Sequence, residues 1–157
     1  MQAANSTTPQ VKIAIIGAGF GGLAMAIRLL QNNIRDFVIL EKASVIGGTW
    51  RENQYPGAAC DVQSHLYSLS FSPKTDWSKR YAEAPEIYQY IQTLTAEHQL
   101  QPYIRFHTEV SAAHYLDNQC LWQLTLNQNE TLTAQFVIFA SGPLHVPQIP
   151  HIAGIEK

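Results

Sequence analysis

The run Gly17-Ala18-Gly19-Phe20-Gly21-Gly22, set directly behind the apolar hexamer Val11-Lys12-Ile13-Ala14-Ile15-Ile16, most limits how this chain can fold. A short β-rich run closed by glycine suits a buried parallel strand. Gly17 permits the sharp turn off that strand, Gly19 lets backbone approach a pyrophosphate closely, and Gly22 lets helix pack tightly on strand. From Phe20 to Leu30, Leu23, Ala26, Ile27 and Leu30 keep one helical face, and Asn32-Asn33 ends the helix. Phe37-Val38-Ile39-Leu40 is a second apolar strand that delivers Glu41 at its C-terminal end. Strand, glycine turn, helix and strand within about 30 residues make a βαβ unit. The start of such a helix presents unpaired N–H groups and a positive dipole end to phosphates. Glu41 stands 19 residues beyond Gly22, where a carboxylate can accept hydrogen bonds from ribose hydroxyls. An acid here disfavours a 2′-phosphate, so this site is not expected to hold NADP.

Composition narrows the rest. With 157 residues, 46% hydrophobic and 14% charged, the chain suits one soluble globular domain. A formal net charge of −2 gives no electrostatic reason to expect nucleic acid or an anionic membrane surface. The apolar stretch from Ile13 to Ile27 is shorter than the roughly 20 residues of a membrane span, and glycines interrupt it. Residues 2–10 lack the basic start of a signal peptide, so a cytoplasmic location is expected. Cys60 and Cys120 form no disulfide framework and read as free thiols. None of the six histidines pairs with a cysteine at a zinc spacing, and no metal site is expected.

Residues 1–10 read as a disordered tail. Segment 42–80 has little periodicity but holds Gly47-Gly48, Pro56-Gly57, Pro73 and two tryptophans; an irregular stretch of this length is usually functional. Pro85 opens a helix to about His98, with Ile87, Tyr90, Ile91 and Leu94 on one face. Three β-like runs, 104–109, 121–126 and 136–140, predict a β-meander, and Pro143, Pro147 and Pro150 an extended end. The fold class is therefore α/β: a Rossmann-like nucleotide-binding half-domain with a parallel sheet, helices and a β-meander.

The glycine loop alone does not separate FAD from NAD, since both present adenosine diphosphate. Residues beyond it are more specific. The run from Gly47-Gly48-Thr49-Trp50-Arg51 through Tyr55-Pro56-Gly57 to Cys60-Asp61, together with Ala140-Ser141-Gly142, resembles the flavin-dependent monooxygenases, most closely the Baeyer–Villiger type. Ser141 stands where that family has threonine. The resemblance runs from about Val11 to the last residue. It implies that FAD is the cofactor, with Gly17, Ala18, Gly19, Phe20 and Gly22 at its pyrophosphate and Glu41, with Lys42 beside it, at the adenosine ribose. It further implies Gly48, Thr49 and Trp50 along the pyrophosphate and ribityl chain, and Asp61, Val62 and Tyr67 near the flavin. Val110 would meet the adenine, and Ala140, Ser141 and Gly142 would close over the cofactor. Taken alone, Trp50 and Tyr67 favour the structural role of core aromatics, which Tyr55 could also fill. Asp61 could be a helix N-cap, but its Tyr55-Pro56-Gly57 context favours a functional role.

In that family one oxygen atom of O2 is inserted into a ketone or heteroatom substrate, with NADPH as co-substrate. Asp61 resembles the carboxylate that orients a catalytic arginine from a later part of the chain, and no residue of this chain reads as catalytic. Family members are several times longer. The expected organisation is a tail over 1–10, an FAD-binding domain over 11–142, and a Pro-rich segment over 143–157 leading to an NADPH-binding domain, the chain being an N-terminal fragment inactive by itself. Its uncovered surface implies self-association or poor solubility. Two other readings stay open: an FAD-linked reductase of the same fold, and a nucleotide-binding module without chemistry.

Overall fold

The computed structural model describes residues 10–143 and 148–155; the tail expected over 1–10 therefore lies almost wholly outside the described residues. Strand β1 (Val11–Ile16), helix α1 (Phe20–Gln31) and strand β2 (Phe37–Leu40) form the expected βαβ unit. Asn33 takes φ +60° just past α1, and Asn32 Nδ2 donates to the Arg28 carbonyl at 2.8 Å, which together stop the helix. A four-residue helix, α2 (Thr49–Glu52), follows in the irregular segment, and helix α3 spans Ala84–Glu97 with Pro85 in its first turn.

Four more strands complete one six-stranded sheet: β3 (Ile104–Arg105), β4 (Val110–Leu116), β5 (Leu121–Leu126) and β6 (Glu130–Phe139), in the order β3-β2-β1-β6-β5-β4. The parallel part is β3-β2-β1-β6; β4-β5-β6 is the antiparallel meander. Strand β6 serves both. Its first half, Glu130 to Ala134, pairs with β5, and from Ala134 to Phe139 it lies beside β1.

The meander differs from the sequence expectation. Its first strand is β4, whereas the run at 104–109 pairs with β2 over only two residues, because β2 ends at Leu40 and Thr108 N–H turns back to the Glu41 carbonyl at 2.9 Å. The third strand begins six residues earlier than the run at 136–140, at Glu130, since antiparallel pairing recruits alternating Thr and Gln positions.

Each sheet face buries its own cluster. Helices α1 and α3 cover one face, packing Leu23, Ala26, Ile27, Ile87, Tyr90 and Ile91 on Ile13, Ile15 and Ile39. On the other, Ala14 and Leu40 meet Leu124, Leu126, Leu132 and Ala134 of the meander. Each fully buried aliphatic side chain contributes about 1.5–3 kcal/mol, which fixes the parallel strand ends in register beneath the loops at their C-terminal edge. Phe136 and Phe139 remain exposed on β6. No helix among the described residues is long and apolar enough to cross a membrane, and none of their His, Cys, Asp and Glu side chains cluster as a metal site. Residues 148–152 carry no regular structure, followed by a turn at 153–155.

Candidate functional site

A cavity of about 810 Å³ opens over the C-terminal ends of β1, β2 and β6, the position where ligands bind in open α/β sheets. Glycine backbone makes its floor. Gly17 takes φ +103°, and a Cβ there would lie 2.7 Å from the Ala140 carbonyl oxygen. Gly48 takes φ +52°, and its Cβ would lie 3.2 Å from Gly19 Cα. Two glycine turns thus face each other with no side chain between, and the Gly47 N–H donates to the Ala18 carbonyl at 2.9 Å to hold them in place. Gly19 caps α1 without a side-chain hydrogen bond, and the first turn of α1 holds no acid. The N–H groups of that turn are therefore available to an anion.

Glu41 is 5% exposed, and its backbone is fixed from both sides, with N–H donating to Arg105 and carbonyl accepting from Thr108. Its carboxylate is held as closely: Oε2 accepts from Ala18 N–H at 2.8 Å, and Oε1 from Ala43 N–H at 2.9 Å and Arg51 Nη1 at 3.4 Å. An ionised carboxylate offers about four acceptor positions. Three are filled from within the chain, the Arg51 one by a long contact, which leaves one position open on Oε2. Glu41 also ties the glycine loop, through Ala18, to the end of β2.

At the other end, Trp50 Nε1–H donates to Tyr67 Oη at 3.1 Å, and their rings meet edge to face at 5.4 Å. Phe20 packs edge-on against Tyr67 at 5.7 Å. Burial pushes the Tyr67 hydroxyl above the ordinary tyrosine value against the Trp50 hydrogen bond, and the nearby Cys60 and Asp61 push the same way. Tyr67 is thus kept as a neutral hydroxyl in the cavity wall. Pairing of Ala59 with Glu83, and Cys60 N–H donation to the Ala82 carbonyl at 2.9 Å, hold the wall carrying Asp61 against the entrance to α3. Ala140 N–H donates to the Ile16 carbonyl at 2.9 Å, bringing the Ala140-Ser141-Gly142 turn over the end of β1.

Of the residues expected at the cofactor, Gly17, Gly19, Phe20, Glu41, Lys42 and Gly48 line this cavity. So do Thr49, Trp50, Asp61, Tyr67, Val110, Ala140, Ser141 and Gly142. Three do not line it. Ala18 is fully buried and Gly22 sits behind the loop against Gly17, so both act on its shape. Val62 is exposed outside the cavity, because its carbonyl turns back to accept from Cys60 Sγ at 3.1 Å. Asp61 caps no helix; the short 3-10 turn at Ser64–Leu66 is preceded by Gln63. Arg51, Asn53, Tyr55 and Thr108 also line the cavity; the first three stand in or beside the signature run, yet none of the four is assigned a role at the cofactor from sequence. For Arg51 the available signal was a basic residue in the turn directly after Gly47-Gly48.

The cavity agrees with a wider likeness. Residues 14–157 match the family described as pyridine nucleotide-disulphide oxidoreductase. A Baeyer–Villiger monooxygenase of Streptomyces coelicolor is 44% identical over 146 residues, covering 93% of this chain and 28% of that protein. One of Pseudomonas aeruginosa matches with the same identity and coverage. Among solved structures, OTEMO in complex with FAD and NADP superimposes with a TM-score of 0.86 at 33% identity, over 96% of this chain and 29% of that one. Cyclohexanone monooxygenase bound to epsilon-caprolactone does so at 0.83 and 36% identity, over 93% and 29%. The chain thus spans less than a third of these relatives' length.

Proposed function

Because the chain belongs to the pyridine nucleotide-disulphide oxidoreductase family, we propose that it is the FAD-binding part of an NADPH-dependent Baeyer–Villiger type monooxygenase. The observation that carries this is the facing pair of glycine turns, Gly17–Gly22 and Gly47-Gly48, with the tethered carboxylate of Glu41 beside them. A Cβ at Gly17 or Gly48 would intrude where only backbone now stands, and uncapped helix N–H groups are the donor chemistry a pyrophosphate needs. The residues fit FAD. Bound flavin would supply the redox chemistry with NADPH and O2 by which a ketone or heteroatom substrate gains one oxygen atom.

The chain's own residues would bind and orient. Gly17, Gly19 and the first turn of α1 take the pyrophosphate, Glu41 accepts from a ribose hydroxyl, and Val110 borders the adenine side. Trp50 and Tyr67 wall the flavin side and exclude water, and Asp61 faces the cavity as a carboxylate that can orient a cation brought to it. Cys60 is buried in the cavity wall, and Cys120 is exposed in the turn between β4 and β5. Self-association would use the uncovered Phe136 and Phe139 of β6.

Calorimetric titration of the 157-residue chain tests the reading. FAD and ADP should both bind, whereas FMN, which lacks the adenosine half, should bind at least tenfold more weakly. FMN binding as tightly as FAD would overturn the assignment of the glycine floor and Glu41 to the adenosine diphosphate.

A further inference from the structure

We propose that Arg51 is a specificity-determining residue that acts with Glu41 as a donor–acceptor pair for one ribose hydroxyl of the nucleotide. The proposal rests on the nucleotide reading above and adds a ligand to it. The Arg51 side chain is 13% exposed and lines the cavity. Its Nη2 is committed to Glu52 Oε1 at 2.5 Å. Its Nη1 donates to the Val45 carbonyl at 2.6 Å and, at 3.4 Å, to Glu41 Oε1. That last contact is longer than a good charge-assisted hydrogen bond, about 2.7–2.9 Å. The Nη1 contact with Glu41 is therefore a weak one.

A hydroxyl differs from every other group on a nucleotide sugar in both giving and taking a hydrogen bond. An oxygen about 2.8 Å from both Nη1 and Oε1 closes a triangle on their 3.4 Å separation. It accepts from Arg51 and donates to Glu41, replacing one long contact by two short ones. The open acceptor position on Oε2 of Glu41 then remains for the neighbouring hydroxyl. The site so built selects a ribonucleoside diphosphate over its deoxy counterparts. A purely structural Arg51, stapling α2 to the turn at Val45, would instead affect all ligands alike.

The test compares ADP with 2′,3′-dideoxy-ADP by calorimetry on the 157-residue chain, wild type and R51M, with a thermal melt of each to establish folding. Wild type should prefer ADP, and R51M should reduce that preference about tenfold, the worth of one hydrogen bond to a charged group, while leaving dideoxy-ADP affinity within about twofold. Should R51M fail to fold, R51K is read in the same way, since an ammonium keeps the charge but loses the planar fork. An unchanged ADP to dideoxy-ADP ratio, whether both ligands weaken or neither does, overturns the role of Arg51. Failure of the folded wild type to bind ADP overturns the nucleotide reading, and the proposal with it.

Discussion

Gly22→Ala should lower the melting temperature of the chain by about 5–10 °C. A methyl group there would overlap the Gly17 carbonyl oxygen outright and reach 3.1 Å from its carbon and 3.4 Å from Ile15 Cγ2. The nearest obstacle is the Gly17 backbone, so no flexible side chain can yield. Relief requires α1 to lift from β1, which opens the cluster that Leu23, Ala26 and Ile27 make with Ile13 and Ile15. Overpacking costs about 1–3 kcal/mol and more where backbone must move. At about 2–4 °C per kcal/mol for a chain of this size, the shift is large against a total stability of about 5–15 kcal/mol. Gly21→Ala is the control: a Cβ there meets nothing within 4 Å, and alanine suits a helix better, so the melt should hold or rise slightly. A Gly22→Ala chain that melts like wild type would contradict the packing role given to this glycine.

Glu41→Ala should damage both folding and binding, and the two losses are separable. In folding, the Ala18 N–H loses its acceptor in a fully buried position, the Ala43 N–H loses another, and Arg51 loses a buried counter-charge. Arg51 keeps Glu52 as counter-charge, so the main cost is the buried N–H left without an acceptor, about 1–3 kcal/mol, read as a lower denaturant midpoint. In binding, the loss of charge-assisted hydrogen bonds should weaken ADP by about 1–3 kcal/mol. Saturating ADP should then raise the melting temperature of wild type more than that of Glu41→Ala, because ligand stabilisation follows affinity. An equal rise in both would refute the ribose assignment, whatever the change in stability.

These two positions belong to the part of the molecule most legible in the sequence. A buried parallel strand writes itself as an unbroken apolar run, and glycines mark its exit because their backbone geometry excludes other residues. Both β1 and β2 begin and end where the pattern places them. Strand β4 was not legible, since Val110-Ser111-Ala112-Ala113-His114-Tyr115-Leu116 is half exposed throughout and bulged near Ala112, which blurs a two-residue alternation. The run at 104–109 looks like a strand, but its ladder with β2 stops at the Leu40–Arg105 pair, and beyond it only irregular bonds to Glu41 and Ala43 follow. In the site, the loop glycines, Glu41 and the Thr49-Trp50 turn were legible because motif and backbone coincide there. Arg51 was not, because its contact with Glu41 exists only after α2 folds back on the end of β2. Val62 lies outside the cavity lining for the converse reason: adjacency to Asp61 in sequence says nothing about direction once the chain turns at Cys60.

An FAD titration of the isotope-labelled chain, followed at resolved backbone amides, is the sharpest test of the nucleotide site. Saturable shifts are expected at Gly17, Gly19, Phe20, Gly48 and Thr49, the backbone lining the cavity floor. FAD binding that leaves those amides unmoved, or no binding by a chain whose melt shows it folded, would contradict the assignment of that floor to the cofactor.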